Sequence, residues 1–139
     1  MERDSSDQNK DSLGTVYYAL SLFILAIITF GPLNNPAIGL CGILVMGYGD
    51  GLAAVIGQAV NTRKFKIKGN TKSIAGCVSM FCVTLIIFAA FLTYSNAEFV
   101  AIKSILIAIL MTIIEAVSIK GTDNITVPII TSLLALLMI

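Results

Sequence analysis

Four side chains in this sequence are of types that could do chemistry together. Asp50 lies in "GYGDGLAAVIG", Lys72 in "NTKSIAG", and Glu115 and Asp123 in "EAVSIKGTDNITVP". Asp50 and Glu115 fall inside apolar stretches, where an ionised side chain costs at least ~2.5–3.5 kcal/mol at the centre of a bilayer. Such a cost implies a use. Carboxylates gathered with a lysine on one membrane face suit a divalent cation and a phosphate. Magnesium prefers oxygen ligands and binds through one or two carboxylates plus substrate phosphates. Phosphoryl transfer needs mainly positioning and charge neutralisation, which such a cation and a lysine supply.

The composition sets the frame in which these groups must be placed. Of 139 residues, 57% are hydrophobic and 12% charged, with mean hydropathy +0.93. A soluble domain is nearer a quarter charged, so the chain reads as a membrane protein. The net charge of +1 points to no nucleic-acid partner, and there is no His. Cys41, Cys77 and Cys82 all lie in apolar runs and read as small packing residues, without a disulfide framework or zinc site.

The predicted architecture is all-α, a polytopic integral membrane protein of about five transmembrane helices. The polar segment 1–12 is expected to be disordered or superficial, and 13–139 to form a single membrane domain. Its spans run about 13–30, 36–60, 74–94, 99–119 and 125–139, against the ~20 residues needed to cross the hydrocarbon. The first run follows acids and precedes "FGPLNNP", so it reads as a retained span and not a cleaved signal. The second span is predicted to break at Gly-Asp-Gly, since Gly49 and Gly51 flank Asp50. Gly49, Gly51 and Gly57 are expected to allow close approach of another backbone or a ligand.

The connection 61–73 carries Arg63, Lys64, Lys66, Lys68 and Lys72 and no acid. Lys and Arg accumulate on the cytoplasmic side, so this loop and the amino terminus are assigned there. Alternation then puts "KGTDN" on the same face, and Asp50 ~15 Å inside it at helical rise. Lys72 and Ser73 directly precede an apolar helix whose first N–H groups would point at an anion. Plainer readings stand beside these. The loop could be a topology signal touching lipid headgroups, the glycines a packing seam, Glu115 an interhelical hydrogen-bonded acid, and Asp123 or Asn124 a helix cap after Gly121.

Taken in order, "KDSLGTVYYALS", "GDGLAAVIG", "KSIAG" and "EAVSIKGTDNITVP" resemble the membrane lipid-alcohol kinases: phytol kinase, dolichol kinase and CTP-dependent diacylglycerol kinase, relatives of phosphatidate cytidylyltransferase. The resemblance covers about residues 12–134. It implies CTP-dependent phosphorylation of a lipid hydroxyl with Mg²⁺ at a cytosol-facing site, in a bacterial cytoplasmic membrane, with ATP the less favoured donor. Carried over, Asp50 and Asp123 are metal ligands or position the hydroxyl, and Glu115 is a ligand through water or a general base. Lys72, Ser73, Asn124 and Lys68 are expected at the nucleotide phosphates. The chain departs from the pattern at Ala75, where many members have Glu, and at Cys77, where Ser or Thr is usual. It is also shorter than most members, and a homodimer could supply missing walls. The rival readings are phosphatidate cytidylyltransferase, a small ion-coupled transporter with Asp50 as its ion site, and a non-catalytic membrane protein.

Overall fold

A computed structural model describes residues 5–67, 70–119 and 121–139, with side chains described from Leu13 onward. The chain runs α1 (Ser5–Phe30), α2 (Pro36–Leu44), a π-helical stretch (Val45–Asp50), α3 (Gly51–Ala59), β1 (Lys64–Ile67), β2 (Asn70–Ser73), α4 (Ile74–Tyr94), α5 (Val100–Val117) and α6 (Asp123–Met138). The all-α membrane class holds. Among the described residues four helices are long and apolar enough to cross a bilayer: 13–30, 36–59, 74–94 and 100–117. The fifth apolar helix, α6, is shorter at 16 residues. Helix α1 extends into the polar segment, starting at Ser5.

The helices sort their residues by size and polarity as lipid-embedded helices do. Small and hydroxyl side chains are prominent among those facing protein, because they let helices approach closely in hydrocarbon, and many large apolar ones face outward. Helix α6 is the clearest case. Its buried residues include Asp123, Val127, Thr131 and Ala135 at every fourth position, with Ser132 beside them, while Leu133 and Leu137 are exposed. The Ser132 hydroxyl donates to the Ile38 carbonyl of α2 at 3.2 Å. Helix α6 packs on α1, α2 and α5, and α4 packs on α3 and α5. Ile38, Val45, Met80, Phe88, Leu92, Met111 and Val127 fill the core between them. The cysteines are unpaired, with Cys41 buried and Cys82 exposed.

Two expectations are corrected. The second span does not break at Gly-Asp-Gly. Leu44, Asp50 and Gly51 all keep right-handed helical angles, and the helix runs on from α2 into α3 through the π stretch. An inserted residue widens the helix without unwinding it, and such bulges recur at functional sites. The basic connection, read as a loop, is an antiparallel hairpin pairing Lys64 with Ser73, Phe65 with Lys72, Lys66 with Thr71 and Ile67 with Asn70. Opposite residues share a face, so Phe65, Ile67, Asn70 and Lys72 lie together and are half-buried, while Lys66 and Thr71 are exposed. Lys68, Gly69 and Lys120 lie outside the described residues.

Candidate active site

The chemistry-bearing residues are set at the ends of elements. Asp50 closes the π stretch, Glu115 lies two residues before the end of α5, Asp123 opens α6, and Lys72 is the third residue of β2. The hairpin folds over the carboxyl-terminal end of α5. The Asn70 side-chain amide donates to the Ser118 carbonyl at 3.2 Å, and the Lys72 ammonium donates to Glu115 Oε1 as an ion pair. One carboxylate oxygen each from Asp50, Glu115 and Asp123 lies within 4.8 Å of the others. Described residues of the basic segment and of 121–124 line one cavity at the same end of the molecule, as their predicted common face requires.

Around these groups lies a cavity of about 1080 Å³. Its wall takes Gly14, Thr15 and Tyr18 from α1, Ala54, Gly57 and Gln58 from α3, Lys64 and Thr71 from the hairpin, and Asn124 from α6. Glu115 is 2% exposed and Asp123 8%. Burial on its own would pull the Lys72 ammonium down from its ordinary 10.5. The hydrogen bond and charge of Glu115, joined by the charges of Asp123 and Asp50, outweigh it and hold the group above that value. Lys72 is therefore a fixed cation at neutral pH.

Each carboxylate is engaged differently. Asp123 Oδ1 accepts from the backbone N–H of Gly121 at 3.1 Å and of Asn124 at 3.0 Å. Gly121 sits at φ 94°, a conformation that L side chains rarely adopt, so this turn calls for glycine. Glu115 is held by Lys72. Asp50 accepts no hydrogen bond among the described residues. Three carboxylates are a hard oxygen set of the kind magnesium takes, and its opposite ligands stand about 4.2 Å apart. Adjacent ligands of such an ion stand closer, at about 3.0 Å. The three oxygens, all within 4.8 Å of one another, reach that spacing if the side chains draw together, so their chemistry and convergence fit a divalent cation.

The helix-terminus anion site foreseen at Lys72-Ser73 is not formed. The first N–H groups of α4 already have protein partners: Ile74 donates to the Arg63 carbonyl, Ala75 to Thr62 Oγ1 and Gly76 to Ser73 Oγ, all at 3.1 Å. The hairpin turns back onto the helix start and satisfies it, and Ser73 is an N-cap. Asn124 likewise ties helices together. Its amide donates to the Gly14 carbonyl at 2.9 Å, and its own carbonyl accepts from the Ser21 hydroxyl at 2.9 Å. Of the three glycines, Gly49 lies against Met80 and Gly57 against Ser73, where an added Cβ would come within 2.5 Å of a side-chain atom. Gly51 has nothing within 4 Å and is no close-approach position, because helical periodicity turns 49, 53 and 57 toward α4 and leaves 51 outside. Asn70 was not singled out by sequence. Its signal was the period-two alternation it shares with Lys72.

Over 128 residues the chain is 35% identical to the phytol kinase of Synechocystis sp., a match covering 91% of this chain and 54% of that one. The chain is a relative of the phytol kinases. It is also 29% identical over 135 residues to a probable chloroplastic phytol kinase 2 of Glycine max, covering 90% of this chain and 45% of the relative. The figures for a probable chloroplastic phytol kinase of Zea mays are 29%, 135 residues, 90% and 43%. This phytol-kinase relative spans about half the length of the curated proteins it matches. The resemblance to lipid-alcohol kinases read from its motifs thus has independent support. No family model matches the chain, and no solved structure matches it significantly.

Proposed function

We propose that the chain phosphorylates the hydroxyl of a membrane lipid alcohol, of phytol or polyprenol type, with CTP as donor. One observation carries the reading: in a relative of phytol kinases, three carboxylates from three separate elements meet beside a lysine in one cavity. The basic hairpin argues that this cavity faces the cytosol.

Asp123, Glu115 and one carboxylate oxygen of Asp50 would hold Mg²⁺, which leaves the second Asp50 oxygen for the lipid hydroxyl. When bound, the ion neutralises nucleotide phosphate charge and polarises the transferred phosphoryl group. Lys72 contributes the second positive charge at the phosphates. Asp50, which is half-buried and accepts no hydrogen bond among the described residues, orients the lipid hydroxyl and takes its proton as the oxygen attacks the γ-phosphorus. The new P–O bond forms on the lipid, the bond to the β-phosphate oxygen breaks, and CDP leaves.

The test is to incubate purified protein with Mg²⁺ and labelled CTP or ATP, offering phytol, a polyprenol, diacylglycerol and phosphatidate separately. CDP with a phosphorylated lipid, abolished by EDTA, is the expected result. Pyrophosphate with a CDP-lipid would identify a cytidylyltransferase instead. No product from any pair would refute the kinase.

A further inference from the structure

Three carboxylates within 4.8 Å, two of them buried, repel one another strongly. Such a cluster calls for a positive charge beside it. Among the described residues that charge is Lys72. It is bonded to Glu115, and its charge couples to Asp123 and Asp50 as well. Lys64 also lines the cavity but is exposed and forms no ion pair among the described residues. Lys72 therefore occupies, electrostatically, the place that a divalent cation would take.

The two cations cannot share this place cheaply. A bare metal ion arriving at Asp50 and Asp123 meets the ammonium already on the third carboxylate. A metal ion arriving with polyphosphate brings a new anionic partner for the lysine. Lys72 can then leave Glu115 for phosphate, and Glu115 is released to the metal. We propose that Lys72 is the resident counter-cation of the carboxylate cluster, competing with a bare divalent cation for Glu115 and handing Glu115 over when the cation arrives bound to nucleotide. The site would then discriminate against metal without nucleotide. This inference rests on the divalent-cation reading above.

The first experiment measures Mn²⁺ binding to full-length protein in nanodiscs by electron paramagnetic resonance, without nucleotide. Lys72→Gln should bind Mn²⁺ tighter than wild type by about fivefold or more, the scale of a typical coupling between sites. Lys72→Arg, which keeps the charge, should remain within about twofold of wild type. Wild type that binds Mn²⁺ with Lys72→Gln no tighter would overturn the inference and leave the metal reading intact. Absence of Mn²⁺ binding in every form, Lys72→Gln included, would overturn the inference, and absence of binding with a non-hydrolysable CTP analogue added would take down the metal reading as well.

A second measurement needs no variant. Carbodiimide activation of a carboxylate joins it to an adjacent amine as an amide, with water taken up by the reagent. Metal-free wild type should yield a Lys72–Glu115 cross-link, found by peptide mass spectrometry. Mg²⁺ with a non-hydrolysable CTP analogue should suppress it severalfold. A cross-link formed equally with and without the metal–nucleotide would overturn the hand-over.

Discussion

Lys72 on the hairpin donates to Glu115 near the end of α5, 43 residues away, and the carboxylate it holds is almost wholly buried. Removing one partner from a buried pair leaves an uncompensated charge, worth roughly 3–5 kcal/mol. Lys72→Ala in metal-free protein should therefore lower stability by about that amount, while the double variant Lys72→Ala/Glu115→Ala should lose distinctly less. Thermal unfolding in detergent without divalent cations reads the difference. Additive losses would show that the pair is not coupled.

Asp50 should matter to turnover far more than to folding. Asp50→Asn removes the charge from a group with no hydrogen bond among the described residues. Turnover of a lipid alcohol should fall about 10²–10⁴-fold, the usual scale for a general base. The melting temperature should stay at or slightly above wild type, because repulsion in the carboxylate cluster is relieved. A large loss of stability with retained turnover would reverse the assignment.

Ser73 should behave as a cap. Ser73→Ala removes the acceptor for the Gly76 N–H and should cost about 0.5–2 kcal/mol of stability. The KM for nucleotide should change by less than about twofold, since the helix N–H groups it caps have protein partners and no role at phosphate. A large rise in KM at unchanged stability would restore the anion site read from the sequence.

The two glycines flanking this region should respond oppositely. Gly57→Ala places a Cβ 2.5 Å from Ser73 Oγ and should destabilise by about 1–3 kcal/mol through overpacking between α3 and α4. Gly51→Ala meets nothing within 4 Å at φ −59°, and should be neutral or stabilising by up to about 1 kcal/mol. Unfolding curves of the two variants side by side would test the facing of this helix. Equal losses would mean the register is wrong.

Chelation gives the last test. EDTA should abolish lipid phosphorylation, and Mg²⁺ should restore it in wild type but poorly in Asp123→Ala. That variant also loses the carboxylate holding the Gly121 and Asn124 N–H groups, and should be less stable by about 1–3 kcal/mol. Full restoration by Mg²⁺ would remove Asp123 from the proposed ligand set.

Much of this molecule was written in its sequence, for a reason particular to membranes. A helix that crosses hydrocarbon must satisfy its own backbone and cover a fixed thickness, so apolar run length and Pro, Asn and Gly punctuation marked the apolar helices to within a few residues, four of them long enough to cross. The cost of charge in that environment marked Asp50 and Glu115, and alternation put "KGTDN" with the basic segment. The tertiary structure decided what depends on contacts between distant residues. That Lys72 faces Glu115 follows from a hairpin register no run length encodes. That the first N–H groups of α4 are satisfied by Arg63, Thr62 and Ser73 follows from the hairpin's return path. Whether the helix at Asp50 breaks or bulges, and which glycine meets a neighbour, depends on how α4 packs beside it. Local residue types permit several such arrangements, and only the packed neighbours select one.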